Sequence, residues 1–83
     1  MSISHLRSLI AQAYELLRDG SPSGPDGYAG HARDLEGASG SLMPELRELY
    51  RDEVSEARAL AEDLYGAAER EASAIADEFG APQ

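Results

Sequence analysis

Residues 41–79, SLMPELRELYRDEVSEARALAEDLYGAAEREASAIADEF, decide the fold of this chain. Ser41 is a helix-capping residue type, and Pro44 falls in the first turn, where a missing N–H costs little. From there to Phe79, only Gly66 weakens the helical pattern. At 100° per residue, Leu46, Leu49, Tyr50, Val54, Ala57, Leu60, Ala61, Leu64, Ala68, Ala72, Ile75 and Phe79 share one broad face. Glu48, Arg51, Asp52, Glu56, Glu62, Asp63, Glu69, Arg70 and Asp77 take the opposite face. The spacing predicts one long helix over about 42–79, stopped by Gly80 and Pro82. Some 36 residues at 1.5 Å each make roughly 54 Å. A compact chain of 83 residues is only about 30 Å across. The helix is too long for such a globule, and its apolar face calls for a second chain along part of its length.

Upstream, residues 3–18 form an amphipathic helix. Ile3, Leu6, Leu9, Ile10, Ala13, Leu16 and Leu17 line one side, and His5, Ser8, Gln12, Glu15 and Arg18 the other. Ser2 or Ser4 caps its start and Gly20 stops it. Residues 19–26, with two prolines, two serines and two glycines, form a loop. A short helix over about 27–39 follows, capped by Asp26, with Tyr28, Ala32, Leu35 and Leu42 at helical spacing; Gly30 and Gly37 weaken it by about 1 kcal/mol each. The fold class is therefore all-α: a single small helical domain, a hairpin or three-helix arrangement with one long C-terminal helix, completing a bundle by dimerisation.

Composition narrows the function. A chain of 83 residues buries only about 60% of its extended surface, and small unstapled domains often gain stability from a partner. Cysteine is absent, which removes disulfides, thiolate zinc sites and thiol nucleophiles. The formal net charge of −9 argues against nucleic acid and against an anionic membrane surface. No segment approaches the 18 apolar residues of a membrane span, and residues 1–18 lack the apolar core of a signal peptide, so the expected location is the cytoplasm. All seven basic residues are Arg, and Lys, Asn, Thr and Trp are missing, the usage of a GC-rich genome such as an actinobacterial one.

Candidate chemistry is sparse. Asp19-Gly-Ser-Pro-Ser-Gly24 places oxygen donors like an EF-hand loop, but the twelfth position is Gly30 instead of a bidentate Glu. His5 and His31 lack the Glu-x-x-His or His-Glu-x-x-His context of metal helices. Glu53 and Glu71 border the Leu46/Leu60/Leu64 stripe without any nucleophile–base pair beside them. No metal and no cofactor is expected, and the chain is read as no enzyme.

Two further patterns act together. Tyr28-Ala-Gly30-His-Ala32 lies between the first helix and the rest, and Tyr65-Gly-Ala-Ala-Glu69 lies late in the long helix. Helix, aromatic-x-Gly, long helix and Tyr-x-x-x-acid in that order resemble the WXG100 family of type VII secretion substrates. Tyr28 stands where that family carries Trp, and the first helix is about half as long. The resemblance implies helical hairpins paired into a four-helix homo- or heterodimer. It also implies a turn shaped by Tyr28 and Gly30, and export without a cleavable signal peptide through Tyr65 and Glu69.

The functional expectation is a non-catalytic protein–protein interaction module, a homo-oligomer or the partner of a small helical protein. Its interface would use Leu46, Tyr50, Leu60, Leu64, Ile75 and Phe79, with alanines 57, 61, 68 and 72 allowing close approach. The alternative is an acidic inhibitor, antitoxin-like or a nucleic-acid mimic, that presents the carboxylate face of the long helix to a basic partner.

Overall fold

The computed structural model describes residues 2–80; Pro82, one of the two expected helix stops, lies outside them. Among the described residues four helices follow one another: α1 (Ile3–Asp19), α2 (Pro25–Gly40), α3 (Pro44–Leu49) and α4 (Arg51–Glu78). There is no strand among the described residues. The chain is an all-α bundle built on a long C-terminal helix.

The ends of α1 follow from local chemistry. Ser2 Oγ accepts from the His5 N–H at 3.3 Å, and the Gly20 N–H closes the last turn on the Leu16 carbonyl at 2.9 Å. Gly20 (φ 89, ψ 166) and Gly24 (φ 73, ψ −153) then reverse the chain in a region of backbone space that only glycine enters without strain. Changing either to Ala is expected to cost about 1–3 kcal/mol, read as a lowered chemical-denaturation midpoint.

The loop is shorter than the expected 19–26. Asp19 still belongs to α1, and α2 begins at Pro25, which occupies the first helical turn, where proline is at home. Asp26 is therefore not the cap but a first-turn acid; Gly24 is the N-cap. Ser41 also serves the other side of its junction. Its hydroxyl donates to the Gly37 carbonyl at 2.7 Å and closes α2, while Met43 precedes α3 without a side-chain cap.

The expected single helix over 42–79 is two helices. It breaks at Tyr50 (φ −108, ψ 37), whose N–H bonds the Leu46 carbonyl while its own carbonyl accepts from Val54. No proline or glycine sits there. Arg7 of α1 stacks on the Tyr50 ring, 5.3 Å from its centroid, and pairs with Glu53 at 2.9 Å. A contact 43 and 46 residues away in sequence leaves no trace in local periodicity. Gly66, by contrast, passes through α4 without a break.

The core sits between α1, α2 and the first half of α4. Leu6, Leu9, Ile10 and Ala13 come from α1, Tyr28, Ala32, Leu35 and Ala38 from α2, and Val54, Ala57, Leu60, Ala61, Leu64 and Ala67 from α4. Leu42 closes one end. Side-chain bonds show the directions. Arg7 meets Glu53 and Tyr14 meets Glu56, so α1 runs alongside α4 in the same sense. Tyr65 meets Glu36, while Ser39 shares a groove with Arg58, so α2 runs antiparallel to α4. The His31 Nε2–H donates to the Leu9 carbonyl at 2.8 Å and ties α1 to α2. The molecule is elongated, 53 × 21 × 16 Å, with a radius of gyration of 14.7 Å where a compact chain of this length has about 12 Å.

Candidate interaction surface

The elongation has a specific cause. α4 is 28 residues long, about 42 Å, whereas α1 and α2 have 17 and 16 residues, about 25 Å each. The last buried residue of α4 is Ala67, and coverage by the shorter helices ends at half-buried Glu71. From Ala72 to Gly80 every residue is exposed. Beyond the Gly20–Gly24 turn, α4 therefore continues alone as an overhang.

The overhang keeps the pattern of the buried part. Ile75 lies eleven residues after Leu64, Ala72 eleven after Ala61, and Phe79 eleven after Ala68, which returns each to within about 20° of its predecessor. The core face of α4 thus runs on into solvent with its apolar residues still in place. Phe79 is 81% exposed and Ile75 39%.

Of the six residues expected at an interface, the fold itself takes four. Leu60 and Leu64 are buried in the core of the chain, where no partner reaches them without unfolding it. Leu46 packs half-buried against the same core, and Tyr50 is half-buried beneath Arg7. Ile75 and Phe79 remain open. Among the alanines, 57 and 61 are core residues, 68 is half-buried and 72 is exposed. Three exposed apolar groups lay outside the expected set: Tyr14 on α1, whose hydroxyl donates to Glu56, Met43 just before α3 and Leu49 at its end. Leu49 shares the periodic face but is 72% exposed, at the last position of α3 before the break at Tyr50.

The residues behind the family resemblance are placed differently from expectation. Tyr28 and Gly30 lie inside α2, and the reversal is made by Gly20 and Gly24. Tyr28 is buried, with its hydroxyl beside Gly20, so its ring plugs the bundle below the turn. Tyr65 is half-buried and its hydroxyl donates to Glu36 Oε1 at 2.8 Å, with Glu69 exposed one turn further on. The Glu36 carboxylate holds the Tyr65 hydroxyl above its ordinary pKa of 10.0, and Glu56 does the same for Tyr14. A raised tyrosine pKa means these bonds are present at neutral pH and are lost as pH climbs through the raised values. Glu36→Gln is expected to bring Tyr65 back towards the ordinary value, read from tyrosinate absorbance in an alkaline titration.

An open groove of about 590 Å³ lies between the end of α1 and the start of α2. Glu15, Asp19, Asp26 and Asp34 line it with His31. Arg18 pairs with Asp19 at 3.1 Å and holds its carboxyl below the usual range. His31 is committed to the Leu9 carbonyl, and no hydroxyl in the groove bonds to it. Among the described residues no three His, Asp or Glu side chains converge as metal ligands, and no helix is long and apolar enough to cross a membrane.

No protein-family model, no curated protein and no solved structure matches this chain.

Proposed function

We propose that this protein is a non-catalytic helical interaction module, and that it engages another polypeptide through the α4 overhang. The observation that carries this is the continuation of the core face past the end of the core. An isolated helical end of about ten residues is marginal in water, and its apolar residues gain nothing by facing solvent. Full burial of Ile75 and Phe79 would contribute about 1.5–3 kcal/mol each. A partner helix laid along the overhang completes the bundle there.

The test is site-specific photo-cross-linking from position 79 in cells that make the protein. An adduct with one defined polypeptide is the expected outcome, and an adduct of twice the chain's mass would mark a homodimer. Cross-linking only to water and buffer, with no polypeptide adduct, would end the interaction reading.

A second reading, the acidic inhibitor, draws on the exposed carboxylates of the outer α4 face, among them Asp52, Glu62 and Asp63. The two readings use opposite faces. Glu62→Arg with Asp63→Arg should leave stability within about 0.5 kcal/mol, because both groups are solvated. Under the module reading the position-79 adduct persists in that variant; under the inhibitor reading binding to the partner is lost.

Export of the type VII kind is a narrower proposal and rests on Tyr65 and Glu69. Tyr65→Ala with Glu69→Ala should keep the helical content while stopping secretion in the native host. Normal export of that double variant would dissociate the chain from that pathway.

A further inference from the structure

We infer that the occupant of the overhang is an amphipathic helix of a different protein whose apolar stripe is bordered by Lys or Arg, and not a second copy of this chain. The inference rests on the interaction reading and adds the partner's chemistry. Around the helix axis the stripe of Ala68, Ala72, Ile75 and Phe79 is flanked on one side by Glu71 and Glu78 and on the other by Glu69. The one cation of the segment, Arg70, points away from the stripe, beside Asp77. One border of the exposed stripe is therefore acidic along its length, the other begins at Glu69 and continues with Ala76, and neither carries a cation.

Flanking charges of paired helices set partner choice, because they face one another across the seam. A second copy would bring only acidic or uncharged flanks, and no cation to pair with Glu69, Glu71 and Glu78, in either helix orientation. Each molecule also carries a formal net charge of −9, so two copies repel on approach as well as in contact. Basic flanks turn these like-charge contacts into ion pairs. The stripe runs eleven residues from Ala68 to Phe79, about 16 Å, which matches a helix of three to four turns.

The test uses the full chain and two synthetic helical peptides with the same Leu/Ala stripe, one flanked by Lys and one by Glu, in fluorescence anisotropy titrations. The Lys-flanked peptide is expected to bind about tenfold more tightly or better, the effect of two or three exposed ion pairs at some 0.5 kcal/mol each. Ile75→Glu with Phe79→Glu should then abolish binding of the Lys-flanked peptide. Those substitutions add negative charge, so a purely electrostatic attraction would strengthen instead. Both positions lie outside the core, and an unchanged thermal melt by circular dichroism checks the fold.

Equal or tighter binding of the Glu-flanked peptide would overturn the inference, as would undiminished binding of the Lys-flanked peptide to the double variant. A dimer of this chain by sedimentation, dissolved by the same two substitutions, would overturn it in favour of a second copy. A heterologous adduct from position 79 together with no preference between the peptides would remove the basic partner while leaving the interaction module standing.

Discussion

Leu64→Glu is expected to unfold this protein outright, with loss of most far-ultraviolet circular dichroism helicity at neutral pH. Leu64 is fully buried at the middle of α4, among residues of all three long helices. The substitution removes a leucine's burial, worth about 1.5–3 kcal/mol, and puts a carboxyl group where neither water nor a cation can reach it. Burying that group adds several kcal/mol, even if it takes up a proton to avoid the charge. Domains of this size are stable by about 4–12 kcal/mol in total. The loss is comparable with everything the fold has. Leu64→Met, which nearly conserves volume, should cost less than about 1.5 kcal/mol and keep a cooperative melt. Retention of full helicity by Leu64→Glu would show that the three-helix core is not what holds the chain together.

Deleting residues 72–83 is expected to do the reverse: to abolish association while leaving the fold intact. All the described residues of that segment are exposed, and every buried residue of α4 lies at or before Ala67. The truncated helix loses exposed residues but none of its buried ones, so its melting temperature should move by only a few degrees. Its loss of association should be complete in a pull-down against the polypeptide that the full chain cross-links from position 79, because Ile75 and Phe79 leave together. Glu71, which is half-buried, is kept so that the end of the bundle stays covered. If the truncated chain unfolds instead, the overhang is part of the folding unit and its apolar face serves stability. The two experiments separate the two halves of α4, which share a sequence pattern and differ in what covers them.

That contrast explains how much of the site was legible beforehand. Period and polarity place α1, the bulk of α2 and nearly all of α4, because a helix writes its own 3.6-residue repeat into consecutive residues. The same pattern separates the face with Leu60, Leu64, Ile75 and Phe79 from the face with Asp52, Glu62 and Asp63, and from Val54 to Leu64 the structure buries the first and exposes the second. Periodicity does not say which stretch of an apolar face belongs to the chain's own core. Leu64 and Ile75 occupy nearly the same angle on the same helix, yet one is fully buried and the other is 39% exposed.

What the sequence by itself determined is the all-helical class, the faces of the helices and the excess length that one globule cannot absorb. Local chemistry added some boundaries, such as Ser2 at the start of α1 and Gly20 at its end. Three things were decided only by tertiary structure. The break at Tyr50 coincides with Arg7 reaching in from another helix. Tyr28 became a buried plug within α2 instead of a turn residue, because the core of α1, α2 and α4 closes over it with its hydroxyl beside Gly20. The division of α4 into core and overhang depends on where the Gly20–Gly24 reversal falls against α4. That position follows from how α1 and α2 pack along it, a long-range outcome that no local repeat encodes.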